Sequence, residues 1–402
     1  MVKRLFRPAV CVGLTSCVAF AVWATAAAAR SGKQAAQPLR AAVVIPKSGE
    51  FSIHNRLLAN GATIAVNEIN IQGAGEGKAP VHLKLKVVSV KPTASASSIV
   101  RSLVRASTRV VILPCNVQLQ ESLARAAAKA GLLTLSPCSP DATFGKGLSR
   151  YWQTGPTAAG EVGQLVYYAH FKYSAAKTAY LLGTGGSWYS RQLTPELRTF
   201  AKRNKLKIVG QASVPAGSHS VAGLANRIRK ANPALVFAAI PSPNVESIIT
   251  GLRQKGIKSG FFVTDGMDAA INFFRYRDGP VSSSLEQVVF ATPGFPRTPT
   301  AAGRFYSDYS AAYGKRPVGN FPGLGFETVH VLETAAQRAA ALTPAGLNVA
   351  FAKGFTVPGV TLEDIRYRGH GHWQPVTSVG LGEVIRDGYV PVLTSLAGHP
   401  AG

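Results

Sequence analysis

Residues 113–138, LPCNVQLQESLARAAAKAGLLTLSPC, decide the fold. A short apolar run ends there in Pro114-Cys115, a helix-length segment follows, and a second apolar run ends in Pro137-Cys138. Two buried-strand patterns joined by one helical pattern describe a strand–helix–strand unit with a right-handed crossover. Consecutive parallel strands often lie side by side and end on the same edge. Cys115 and Cys138 then sit at the tips of two such strands, where their Cα atoms can fall within the roughly 4.4–6.8 Å that a disulfide requires. Open α/β sheets bind ligands at that carboxyl edge, so the pair is expected to staple two loops at the rim of a cleft.

The alternation extends in both directions. Strand patterns occur at 41–46, 83–90, 110–113, 132–135, 178–182, 207–211, 234–240, 260–264 and 287–292. Helical spacing fills 57–69, 94–107, 120–130, 159–170, 193–204, 221–231, 245–255 and 301–313. The segment Tyr151-Trp152-Gln153-Thr154-Gly155-Pro156 separates two α/β units of similar size, with Gly155-Pro156 a natural crossing point and Trp152 a packing residue on the hinge side. The tail reads as β-ribbon at 365–367, 379–385 and 389–393, turning at Arg368-Gly369 and Asp387-Gly388. A chain of 402 residues is long enough for two cores.

Residues 1–29 read as an export signal: Lys3, Arg4 and Arg7 precede an apolar run from Ala9 to Trp23, and Ala27-Ala28-Ala29 supplies a small-residue cleavage site. An uncleaved anchor and, through Leu14-Thr15-Ser16-Cys17, a lipobox are the alternatives. Removing the signal leaves Cys115 and Cys138, an even pair that in an exported chain reads as a disulfide. The net charge is +25, and the signal holds three of the basic residues and no acid, so the mature chain carries about +22. Such a balance attracts anions, but Lys and Arg are scattered without an aromatic-interleaved stripe, so nucleic acid is not an expected partner.

Several segments carry a resemblance: Ala42-Val43-Val44-Ile45-Pro46-Lys47-Ser48-Gly49 with Asn60-Gly61-Ala62, Ala130-Gly131-Leu132 through Ser136-Pro137, Arg150 to Pro156, and Gly325-Phe326-Glu327. In order and spacing the mature chain resembles the periplasmic solute-binding proteins of branched-chain amino acid ABC transporters. The resemblance implies an α/β fold of two lobes, the type I Venus flytrap, each lobe a parallel-sheet α/β sandwich. The implied division is 1–29 signal, 30–39 linker, 40–156 with 294–350 as lobe 1, and 157–293 with 351–398 as lobe 2.

The resemblance also implies the site. His54 matches an aromatic over the ligand, and Asn116 and Val117 match a loop that holds a carboxylate. Cys138 and Ser139 match a turn serving the amino and carboxylate groups, Tyr189 a tyrosine that closes on the ligand, and Asp265 the acid that pairs with an α-ammonium. Pro140 stands where amino-acid binders have threonine, which removes a hydroxyl and an N–H. The implied partners are a small ligand (amino acid, amide or carboxylate) and an ABC permease, with export to the periplasm or the outer face of the cytoplasmic membrane. A monomer without cofactor or metal is expected, and the basic composition leans toward an anionic group on the ligand.

Other readings of single residues stay open. Gly183-Thr184-Gly185-Gly186 lacks the Walker lysine spacing and the third dinucleotide glycine, so a loop or lid carrying Trp188 and Tyr189 is expected there. His370-Gly371-His372 has no carboxylate or cysteine cluster around it and reads as an exposed turn. An exported hydrolase lacks G-x-S-x-G, H-E-x-x-H and paired-carboxylate runs, a transcription regulator needs an N-terminal helix-turn-helix, and a sensor or scaffold role is the remaining alternative.

Overall fold

The computed structural model describes residues 37–72, 81–140, 143–217, 220–241, 244–270, 283–295, 302–361, 363–369, 373–386 and 388–397. The chain divides at Pro38 into Met1–Pro38 and Leu39–Gly402, and of the first unit only residues 37 and 38 are described. The signal-like segment, the 370–372 tract and Asp387 lie outside the described residues.

From Leu39 the chain runs β1 (Leu39–Pro46), α1 (Ser52–Gln72), β2 (Leu83–Val90), α2 (Ala96–Arg105), β3 (Val110–Ile112), α3 (Leu119–Lys129), β4 (Leu133–Ser136) and β5 (Tyr151–Gln153). A second series follows: α4 (Ala158–Lys172), β6 (Thr178–Gly185), α5 (Trp188–Arg203), β7 (Lys207–Pro215), α6 (Ala222–Ala231), β8 (Leu235–Ala239), α7 (Val245–Gln254), β9 (Gly260–Val263) and β10 (Val289–Thr292). Helices α8 (Phe305–Tyr313), α9 (Phe321–Arg338) and α10 (Pro344–Ala352) precede β11 (Phe355–Val357), β12 (Ile365–Tyr367), β13 (Thr377–Ile385) and β14 (Gly388–Ala397).

Both sheets are wound alike. The first has the order β2-β1-β3-β4-β5 and is parallel throughout. The second contains β7-β6-β8-β9-β10, the same parallel order one series later, and β13 and β14 extend it antiparallel beyond β10. This doubly wound order places the topological switch point between β1 and β3 in one sheet and between β6 and β8 in the other. Strands β3, β4 and β8 are buried at every residue because helices cover both faces, which explains their unbroken apolar runs. Edge strand β2 turns Lys84 and Lys86 outward, a charge pattern that discourages further strand pairing.

Helix starts follow local capping. The Ser95, Thr157 and Ser187 hydroxyls accept from Ser98 N–H (3.4 Å), Gly160 N–H (2.9 Å) and Ser190 N–H (3.0 Å), fixing the first turns of α2, α4 and α5.

Helix α9 binds the two sheets to one another. The chain leaves the first sheet after β5, returns after β10 so that α8 and α9 pack on α1, and ends with β13 and β14 in the second sheet. The three connecting segments all bond to the first two turns of α9 or to the residue that caps it. Thr154 Oγ1 lies 2.7 Å from Thr328 Oγ1. Glu327 Oε1 accepts from Val360 N–H (2.7 Å) and Thr361 N–H (2.8 Å). Asn320, just before the helix, donates through Nδ2 to Thr292 Oγ1 (2.8 Å) and to the Gly294 carbonyl.

Helices α1 and α9 touch backbone to backbone. A Cβ built on Gly61 would lie 1.7 Å from the Pro322 carbonyl oxygen, and one on Gly325 would lie 1.9 Å from that of Leu58.

Two expectations shift. Residues 151–153, read as part of a crossing segment, pair as strand β5 beside β4. Gly183 to Gly185 belong to β6 rather than to a loop, and Trp188 and Tyr189 open helix α5. Trp152, expected as a packing residue, stacks on Phe351 at 4.9 Å and donates to Asn348 Oδ1 at 2.9 Å.

Candidate functional site

The carboxyl ends of the two sheets face one another, and the segments beyond β1, β3, β6 and β9 meet. Asp265, which follows β9 and opens a short 3-10 helix (Asp265–Ala270), is 2% exposed. The Tyr189 hydroxyl, from the first turn of α5, donates to its Oδ1, accepts from Gly266 N–H (3.2 Å) and lies 2.6 Å from Thr264 Oγ1. Asn116, from the segment after β3, donates through Nδ2 to Asp265 Oδ2 at 2.7 Å. One carboxylate is thus held by its own lobe through one oxygen and by the opposite lobe through the other. A second link joins the lobes where Glu50 Oε2 accepts from Tyr189 N–H at 3.3 Å, close to the positive end of α5.

The segment carrying Asn116 is fixed before it reaches Asp265. Asn116 adopts a left-handed backbone, φ 55°, which asparagine tolerates better than most residues. Cys115 is disulfide-bonded to Cys138 with Cα atoms 5.1 Å apart. Asn55 of α1 grips the same residue: its Oδ1 accepts from Cys115 N–H (2.6 Å) and its Nδ2 donates to the Cys115 carbonyl (3.0 Å). The cross-link closes a sequence separation of 23 residues, worth ~3 kcal/mol through loss of unfolded-state entropy. Replacing both cysteines by serine is expected to lower stability by that amount in chemical denaturation. Protein made from Arg30 onward should show no free thiol in intact mass after alkylation, and two free thiols would contradict the cross-link.

His54 lies in the first turn of α1, not in a loop, and is fully buried between Phe51 and Phe321, each ring 4.5 Å away. The aromatic that faces the second lobe is Phe51, whose ring lies 4.7 Å from that of Tyr189. Burial lowers the His54 imidazole to about 3, partly opposed by a hydrogen bond to the Asp265 backbone, so the ring is neutral at ordinary pH. His54, Asn116, Tyr189 and Asp265 therefore come together.

Val117, Cys138 and Ser139 use their polar atoms within the first lobe. The Val117 carbonyl accepts from Gln120 N–H (2.9 Å), and the Cys138 carbonyl accepts from Gln120 Nε2 and from the Ser136 hydroxyl (2.5 Å). Ser139 Oγ lies 2.7 Å from the Tyr151 hydroxyl. The Pro140 carbonyl accepts from Ala159 N–H (3.0 Å), so the residue that replaces threonine joins the turn to the start of α4.

Two further carboxyls were missed by sequence reasoning. Asp268 accepts from Thr292 Oγ1 (2.7 Å) and from Asn320 N–H (2.7 Å), and Glu161 of α4 is 3% exposed. Burial pushes Asp265 up to about 6, against the hydrogen bonds from Tyr189 and Asn116. Burial likewise pushes Asp268 up to about 7, with the charge of Asp265 adding to it. Glu161 is raised well above the usual carboxylate range, first by burial and then by Asp265 and Asp268. Tyr189 is also raised by burial and by the neighbouring Asp265, so it stays a donor. A readable signal existed for Glu161, which falls on the apolar stripe of α4 with Ala158, Val162 and Leu165.

Two α/β lobes of the same winding, joined by three strands of chain and meeting at their carboxyl edges around a buried acid, define a two-lobed ligand-binding protein. The sequence model of the family described as periplasmic binding protein matches residues 38–388, and the chain belongs to that family. A search of curated protein sequences gave no match.

Among solved structures, the branched-chain amino acid transporter substrate-binding protein LivJ from Streptococcus pneumoniae, in complex with isoleucine, is 19% identical. It covers 90% of this chain and 99% of its own, with a TM-score of 0.71. An ABC-transporter solute-binding protein from R. palustris, in complex with benzoate, is 16% identical over 90% of this chain and 96% of its own, TM-score 0.71. An amino acid ABC transporter substrate-binding protein from Pseudomonas fluorescens Pf-5 is 16% identical over 91% and 97%, TM-score 0.74. At these identities the likeness establishes the type I fold.

Proposed function

We propose that the chain is an exported receptor that captures a small molecule bearing an ammonium group between its lobes and delivers it to an ABC importer in the membrane. The observation that carries this reading is Asp265, a buried carboxylate at the seam whose two oxygens are held from opposite lobes. Asn116 Nδ2 supplies one donor to that carboxylate, and an ammonium supplies three along with a full charge. When the lobes part, Asp265 stays with Tyr189 on the second lobe while Asn116, His54 and Phe51 withdraw with the first. A bound ammonium restores the link between the halves, and hinge closure follows from contacts made only in the closed state.

Membership of the periplasmic binding protein family supports the delivery role, and the signal-like residues 1–29 support export to the periplasm or the outer face of the cytoplasmic membrane. The first-lobe segments joined by the disulfide, with Val117 on one and Cys138 and Ser139 on the other, form the opposite wall. The ligand class follows from the site and not from the net charge, which had favoured an anionic group. Among the described residues no Lys or Arg is buried, whereas Glu161, Asp265 and Asp268 are. A ligand like the isoleucine of the streptococcal relative offers Asp265 an ammonium, and one like benzoate offers it a second negative charge.

The test is a thermal-shift screen of protein stripped of carried-over ligand by unfolding and refolding, against amino acids, amides, amines and carboxylates. Ligand at 100 times its dissociation constant adds ~2.7 kcal/mol of stability. A saturable shift with ammonium-bearing compounds is expected. A shift confined to carboxylates would overturn the ligand class, and none from any class would overturn the receptor reading.

A further inference from the structure

We propose that Glu161 holds a second cationic nitrogen of the ligand whose first nitrogen pairs with Asp265, so that this receptor takes a dication such as an α,ω-diamine or a basic amino acid. The inference rests on the receptor reading above and names the ligand class of the same site.

Glu161 stands in the first turn of α4, immediately after the first connecting segment, and therefore at the hinge end of the cleft. The Ser139–Thr157 bridge ties that segment to the disulfide-bearing turn of the first lobe. Its side chain is 3% exposed, and Oε2 has no hydrogen-bond partner in the structure. The Asp265 and Asp268 carboxyls act on it electrostatically. Among the described residues, no ion pair involves any of the three.

A buried carboxyl on an apolar helix stripe is retained against a large desolvation penalty only when something compensates it. The positive end of α4 is a partial compensation and leaves Oε2 without a donor. Asn320, whose N–H holds Asp268, likewise keeps its Oδ1 without a partner. Asn320 Oδ1 only accepts, and Glu161 Oε2 accepts once its carboxyl is ionised. What the cluster lacks is donors and positive charge, and a protonated amine brings both. A monoammonium ligand satisfies Asp265 alone and leaves Glu161 as it is, so the pair of carboxyls selects for the second nitrogen.

The experiment is calorimetric titration of refolded wild type and of Glu161→Gln with matched probes: 1,4-diaminobutane against butylamine, and lysine against norleucine. Wild type is expected to prefer at least one dication over its one-nitrogen counterpart by on the order of 10- to 100-fold, the range of one charge-assisted hydrogen bond. Glu161→Gln should lose that preference, bind the one-nitrogen probe as wild type does, and melt no lower than wild type without ligand. Glu161→Asp, which keeps the charge, should retain the preference and serves if the glutamine variant does not fold.

Equal or tighter binding of the one-nitrogen probes by wild type, or a preference that survives in Glu161→Gln, overturns the assignment. Saturable binding of an apolar amino acid or a carboxylate with none by the dications overturns it while the receptor reading stands. Silence from every class overturns both.

Discussion

Alanine at Gly61 or at Gly325 is expected to prevent stable folding, or to lower stability by about 3–5 kcal/mol, beyond the usual cost of overpacking. The added methyl would sit 1.7 Å from the Pro322 carbonyl oxygen in one case and 1.9 Å from that of Leu58 in the other. Those neighbours are backbone, so no rotamer change relieves the clash and α1 must separate from α9. The effect spreads because α9 also holds the three connecting segments through Asn320, Glu327 and Thr328. Urea unfolding of the two variants beside Gly223→Ala, where an added Cβ meets nothing within 4 Å, checks this. Variants as stable as wild type would show that the helices are not packed so closely.

The ligand-free protein is expected to lose stability as pH rises from about 4 to about 7. Asp265 is raised from 3.8 to about 6 and Asp268 from 3.8 to about 7, both by burial. A carboxyl raised in the folded state contributes stability that is fully present below its unfolded value and is lost as pH climbs through its folded value. Ionising them in place costs ~3–4 kcal/mol each, an upper bound because parting the lobes returns Asp265 to water. The groups facing Asp265 are Tyr189, Asn116, the neutral His54 and Glu161, and those facing Asp268 are Thr292, Asn320, Asp265, Glu161 and Tyr389. Calorimetric melting across that window should show a falling midpoint that saturating cationic ligand flattens. A midpoint that rises across the window would mean that the carboxyls are already compensated.

Much of this architecture is legible in the sequence because the central strands, covered on both faces, are plain apolar runs between helical patterns. The paired Pro-Cys endings mark two neighbouring strand tips, and their disulfide follows from the parallel order. Asp265, Tyr189 and Asn116 could be named through the family resemblance, and Asp265 also stands just beyond an apolar strand. Helix α9 could not be read. Thirteen of its residues are buried, so it lacks an amphipathic period, and Pro322, Gly323 and Gly325 imitate turn signals.

Phe51 was hidden for a related reason: resemblance pointed to His54, one helical turn along, while the ring facing Tyr189 is its neighbour. Glu161 was missed although it falls on the apolar stripe of α4, because an acid at a helix start is ordinarily a solvated residue that favours the positive end of the helix. The net charge leans toward an anionic ligand, whereas the proposed site sets Glu161, Asp265 and Asp268 inside and, among the described residues, no Lys or Arg is buried.

The central claim is that closure is governed by the Asp265 carboxylate meeting a ligand ammonium. The direct measurement is the dissociation constant of the best amine from the screen for wild type and Asp265→Asn, with the ligand-free melting midpoint of each as a check on folding. The account predicts binding weakened by on the order of 10- to 100-fold in a variant that remains folded, the loss of a charge-assisted hydrogen bond. An unchanged dissociation constant would place the ligand elsewhere and contradict it.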